Sequence, residues 1–156
     1  MTVVVYKEGV MASDSLASWG NRPSSEQKIW NTENALLGIA GAIVAKRFVL
    51  EWLREQHNGI NEDLSCDIPE LYKLDYTAMI VCKRSGDVFF LGSGEDDVIS
   101  IEKMSKVEAI GVGRSLALGA LAMGATAQRA VRVAIENNIY CGGEIQKISL
   151  LDNGFE

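Results

Sequence analysis

Two short apolar runs open the chain, Val3-Val4-Val5-Tyr6-Lys7 and Val10-Met11-Ala12-Ser13, separated only by Glu8-Gly9. Runs rich in β-branched residues around a two-residue glycine turn are the pattern of a tight hairpin. Such a hairpin pins the start of the chain into a sheet, and it leaves Thr2 directly in front of the first strand. That residue carries a hydroxyl. With Met1 removed it would also carry a free α-amine, so that one residue supplies both a nucleophile and a base. No charged leader precedes the apolar run, which is not the pattern of a secretion signal.

Downstream, residues 14–27 are rich in Ser, Asn, Gly and Pro and read as a long loop. Short strands are expected at 28–31 and 35–40 around the turn Asn31-Thr32-Glu33-Asn34. The period then changes. Ala42, Ala45, Val49, Trp52 and Leu53 recur at helical spacing opposite Lys46, Arg47, Glu51 and Arg54, which predicts an amphipathic helix ending near His57-Asn58-Gly59. Strands follow at 76–82, 88–91 and 98–101, the last after an acidic turn Glu95-Asp96-Asp97, and a further strand runs into glycine at 109–113. Helices are predicted over 115–123 and, with Thr126 as N-cap, from 127 to about 139. Gly142-Gly143 then turns the chain into a final strand at 144–150. Strands, helix, strands, two helices and strand, without regular alternation, favour antiparallel sheets covered by helices over a doubly wound fold.

Composition narrows the function. At 156 residues the chain has the size of one ordinary domain, able to bury roughly two thirds of its unfolded surface. A net charge of −6, with 15 basic residues scattered among 21 acidic ones, argues against a nucleic-acid partner. Cys66, Cys82 and Cys141 show no paired spacing, which argues against a disulfide framework or a metal site and fits a reducing cytosol. No segment has the length of a membrane span. The expectation is a soluble, cytoplasmic protein with no cofactor, no metal and no membrane partner. His57 is the only histidine and reads as an exposed helix end, not a member of a Ser-His-Asp triad. Gly111-Val112-Gly113 lacks the spacing of a phosphate loop, and Asp96-Asp97 reads as a solvated turn.

A stronger pattern emerges when the segments are taken together and in order. Thr2 to Ser15, Lys28-Ile29, Gly38-Ile39-Ala40-Gly41, Ala109-Ile110-Gly111-Val112-Gly113 and Ile139-Tyr140-Cys141-Gly142-Gly143 resemble the proteasome β-subunit family. The likeness is closest to the bacterial HslV peptidase and its short phage and prophage relatives, and it covers nearly the whole chain. It implies an α+β fold, the four-layer αββα sandwich of N-terminal-nucleophile hydrolases, as a single domain over 1–156. It also implies a threonine peptidase cleaving unfolded polypeptide inside a homo-oligomeric ring, fed by an ATP-driven (AAA+) unfoldase, with the helix at 42–53 as an interface.

Within that resemblance Thr2 is the nucleophile, Lys28 the cation beside it, Asp14 the carboxylate that pairs with the lysine, and Gly41 the donor to the oxyanion. Ser18 falls where main chain binds extended substrate, and Ile39 and Ile43 where the side-chain pocket is lined. The pattern is broken in three places. Val112 stands where the family usually has serine, Asn138 where many proteasome subunits carry aspartate, and Cys141 where they carry serine or threonine. Two other readings stay open: a catalytically inactive assembly or interaction module of the same fold, which Val112 and a retained Met1 would favour, and an amidase acting on a small molecule through the same nucleophile.

Overall fold

The computed structural model describes residues 2–19, 22–94 and 97–152. The amino-terminal hairpin forms as β1 (Val3–Lys7) and β2 (Val10–Ser13), and Gly9 takes the left-handed conformation, φ 84°, that the turn needs. It does not lie at an edge. β10 (Glu108–Gly111) pairs with β1 and β11 (Gln146–Ser149) with β2, all antiparallel, so the hairpin is the centre of a four-stranded sheet ordered β10-β1-β2-β11.

A second antiparallel sheet of five strands runs in chain order: β5 (Ile29–Asn31), β6 (Ala35–Gly41), β7 (Tyr76–Cys82), β8 (Val88–Ser93) and β9 (Ile99–Met104). Among the described residues three α-helices accompany the sheets: α1 (Ala45–Arg54), α2 (Arg114–Ala122) and α3 (Ala127–Asn137).

Side-chain alternation along β1 explains why an unbroken apolar run was needed there. Val3 and Val5 join a cluster with Ala117, Leu121, Ala130, Val131 and Ala134 of α2 and α3. Val4 and Tyr6, one residue out of phase, join Leu36, Ala40, Met79 and Val81 of the five-stranded sheet. Both faces of β1 are therefore buried, as the period of two requires. The other face of the five-stranded sheet packs Leu37, Ile39, Ala78 and Ile80 against Ala45, Val49, Trp52 and Leu53 of α1.

Several sequence expectations need correction. The predicted loop at 14–27 contains a two-stranded ribbon, β3 (Leu16–Trp19) and β4 (Arg22–Ser25). Its strands are four residues each, β4 is polar and carries a proline, and Pro23 is tolerated because the ribbon stands apart from the larger sheets. The helix begins at Ala45, not 42, because Asp75 captures the Ala42 N–H at 2.8 Å and Ala45 to Arg47 first close a tight turn on the carbonyls of Ala42 to Val44. It ends at Arg54, short of His57, which is exposed as expected. β8 and β9 run further than the expected 88–91 and 98–101, because pairing continues from Val88↔Met104 to Ser93↔Ile99 through polar residues that carry no strand signal. The final strand is shorter than 144–150.

Thr126 does cap α3, its side chain accepting the Arg129 N–H at 3.2 Å. The acidic turn falls partly outside the described residues, which include Asp97 but not Glu95 or Asp96. Among the described residues no helix is long and apolar enough to cross a membrane.

Candidate active site

β1 and β2 bring the head of the chain beside residue 14. Thr2 is 5% exposed and immediately precedes β1. The Val3 N–H donates to Asp14 Oδ1 at 3.1 Å, and the Asp14 N–H returns a bond to the Val3 carbonyl at 3.2 Å. The same Oδ1 accepts from Lys28 Nζ at 2.9 Å, in an ion pair whose side chains are 2% and 0% exposed. Asp14 Oδ2 accepts the Gly142 N–H at 3.1 Å. Removing two charges from water is costly, and this pair meets the requirement for tolerating it, because both carboxylate oxygens have donors.

Each partner is itself anchored. Lys28 leads into β5; its N–H donates to Gln146 Oε1 at 3.3 Å, and its carbonyl accepts the Ile39 N–H at 3.0 Å. Gln146 Nε2 bonds the Glu26 carbonyl at 3.2 Å, so β11 holds both sides of the approach to Lys28. The Gly142 carbonyl accepts from the Ser15 and Leu16 N–H groups at 3.0 and 2.9 Å, and Ser15 Oγ donates to the Glu144 carbonyl at 2.7 Å. The start of β3 is thereby stitched to the turn that follows α3.

On the opposite flank, two glycines let β10 approach Thr2. Gly111 has φ 97°, and a Cβ there would collide with the Thr2 carbonyl. The Gly113 N–H donates to that same carbonyl at 3.3 Å. A Cβ on Gly113 would lie 2.8 Å from Val3 Cβ and 3.0 Å from Cys141 Sγ. Burial pushes the Cys141 thiol up to about 11, and the Asp14 carboxylate adds to the rise while Lys28 opposes it. Cys141 therefore lies within electrostatic reach of the ion pair and stays a neutral thiol.

The structure thus gathers Thr2, Asp14 and Lys28 at one place. Gly41 ends β6 at an exposed position with φ 95°, where a Cβ would strike the Asp75 carbonyl, so that only glycine fits. Ile39 is 1% exposed and packs among Ala45, Val49 and Trp52, while Ile43 is half-buried against the same cluster. Ser18 lies in β3 opposite Pro23. Met1 lies outside the described residues. Among the described residues no cluster of His, Cys, Asp or Glu could hold a metal, and buried Ser13 Oγ, beside Asp14, finds no hydrogen-bond partner.

Sequence reasoning missed Gln146 and the bond from Gly142 to Asp14. Their signal is a contact across more than a hundred residues, which no local pattern carries. Gly111 and Gly113 were visible only as glycines at the end of a strand; the close approach of the Thr2 carbonyl explains the first, and the packing of Val3, Ala134 and Cys141 side chains the second.

No family model and no curated protein matches the chain. Solved structures do. BPH from Thiobacillus denitrificans in complex with epoxomicin is similar at a TM-score of 0.65 and 21% identity, over 97% of this chain and 100% of that one. A second structure of Thiobacillus denitrificans BPH gives 0.66 and 19%, over 96% and 98%. Eukaryotic HslV from Trypanosoma brucei gives 0.55 and 15%, over 95% and 98%. The likeness covers nearly the whole chain and is one of fold: this chain has the fold of BPH and HslV.

Proposed function

We propose that the protein is a threonine peptidase of HslV type, acting through Thr2 once the peptide bond before Thr2 has been cleaved. The observation that carries this reading is the shared carboxylate oxygen of Asp14, which binds both the Val3 N–H and the Lys28 ammonium and so ties the cation to the residue that follows Thr2. Fold likeness to HslV over nearly the whole chain supports it. Three apolar clusters, one between the sheets and one on the outer face of each, support the finer αββα description within a single domain.

In this mechanism the Thr2 α-amine, with a reference pKa of about 7.7 to 8.0, accepts the proton of its own hydroxyl. Thr2 Oγ attacks the peptide carbonyl, and the Lys28 cation favours the developing alkoxide. The Gly41 N–H supports the tetrahedral oxyanion. The C–N bond then breaks, the amine returns the proton to the departing nitrogen, and an ester remains on Thr2. Water, deprotonated by the same amine, hydrolyses that ester to the carboxylic acid and regenerates the hydroxyl. Ser18 contributes main chain to an extended substrate. Ile39, buried against α1, and Ile43 shape the wall beneath the pocket.

The substrate in this reading is unfolded polypeptide and the working form a homo-oligomeric ring in the cytoplasm, fed by an ATP-driven unfoldase. The apolar face of α1 is buried within its own chain, and Lys46, Arg47, Glu51 and Arg54 are what it exposes. A ring contact through α1 would therefore be polar.

Hydrolysis of an unfolded protein such as casein tests the proposal. A preparation beginning at Thr2 should release peptides, and Thr2→Ala should abolish release. Turnover of small amides with no release from casein would favour an amidase. No turnover of either would favour an inactive assembly module, the reading that Val112 at the family's serine position supports.

A further inference from the structure

Beside Thr2 the β1–β10 ladder skips a residue. The strands pair as far as Val3 opposite Gly111, yet the Thr2 carbonyl takes its hydrogen bond from Gly113, two residues further along. Val112 is the residue left over. A left-handed glycine followed by an unpaired residue is the form of a β-bulge, a device that re-aims a side chain at the end of a ladder.

Val112 is 51% exposed, although it adjoins one of the most deeply buried segments of the fold. It has company: Ile139 is 85% and Tyr140 52% exposed. The Asn138 side chain ties the two segments together. Its Nδ2 donates to the Val112 carbonyl at 3.4 Å, and its Oδ1 accepts the Tyr140 N–H at 2.8 Å. Two residues beyond Tyr140, Gly142 donates to Asp14. The apolar side chains are thus held on two segments that are both bonded to the nucleophile's surroundings.

Resting on the peptidase reading above, we infer that Val112 is a specificity-determining residue for the leaving side of the scissile bond and, with Ile139 and Tyr140, selects an apolar side chain immediately after the cut. The proton that the Thr2 amine gives up goes to the departing nitrogen. The residue carrying that nitrogen must pass beside the Thr2 main chain, and residues 111–113 pack against that main chain. At position 112 a serine would offer a hydroxyl to the amine; a valine offers only methyl groups, which gain by covering an apolar substrate side chain.

The test reads new amino termini by mass spectrometry after a protein beginning at Thr2 has digested a sequence-diverse pool of unfolded polypeptides. Leu, Ile, Val and Phe should exceed Asp, Glu and Gly directly after the cut by roughly tenfold, the scale of a lost apolar contact. Val112→Ser should flatten that preference and leave the preference before the cut in place. Ile139→Ser, outside any strand, should shift it in the same direction and guards against a folding defect in the first variant. A flat profile in the parent protein, or an unchanged profile in both variants, overturns the inference; so does a Val112→Ser protein that only loses self-association, since a second copy would then be what covers the patch. An epoxyketone probe, which occupies the acyl side alone, separates the two levels. Thr2 labelled with a flat profile overturns this inference only, whereas no label and no cleavage overturn the nucleophile reading and this inference with it.

Discussion

Asp14 Oδ1 accepts at once from Lys28 Nζ at 2.9 Å and from the Val3 N–H at 3.1 Å, with both charged side chains closed off from solvent. One oxygen therefore couples the lysine to the backbone that carries Thr2. A change at either charge must be felt at the start of β1.

Removal of one partner leaves a buried charge without its counterion, so Lys28→Met should cost about 3 to 5 kcal/mol in urea unfolding. Adding Asp14→Leu should recover only part of that loss, because it leaves the Val3 and Gly142 N–H groups without their acceptor. Full additivity in this double-mutant cycle would show that the pair is not coupled.

Gly111 offers a test by geometry. With φ 97° and the Thr2 carbonyl against it, Gly111→Ala should destabilise the fold by more than the roughly 1 to 2 kcal/mol of a left-handed alanine alone. Gly119, within α2, meets nothing within 4 Å of an added Cβ, and Gly119→Ala should stabilise by about 1 kcal/mol. Equal effects of the two substitutions in chemical denaturation would contradict the close approach of β10 to Thr2.

The Cys141 thiol predicts a pH dependence. Its value in the folded protein, about 11, is raised from the ordinary 9.0, so the folded state holds its proton when the unfolded chain has lost it. The associated stability is complete below pH 9.0 and lost as pH rises through about 11. Thermal unfolding across that window should flatten in part in Cys141→Ala. Part of the slope should persist from Cys66, whose thiol burial pushes up to about 12. At pH 8 the folded protein should leave Cys141 unalkylated, and a denatured sample should not.

These residues also mark how far the sequence could be read. The hairpin at Val3–Ser13, the period of α1 and the Thr126 cap were legible because each signal is local: alternation, helical spacing, one side-chain bond to the backbone. The pairing of Asp14 with Lys28 came only through family likeness, since nothing in 14–28 requires those two charges to meet. The β3–β4 ribbon was hidden because its strands are short, β4 is polar and carries a proline, and the start of β3 is fixed by Gly142, far away in sequence. The bulge at Val112 was hidden for a related reason. A glycine pair announces a turn, but only its partner strand reveals which residue the ladder omits.

In the proposed mechanism Thr2 becomes a nucleophile when it becomes the first residue. Intact-mass measurement of protein beginning at Thr2, after incubation with epoxomicin, tests it most directly. One adduct per chain is expected, localised to Thr2 by fragmentation and absent in Thr2→Ala. Protein that begins at Thr2, is folded, and gains no mass would contradict it.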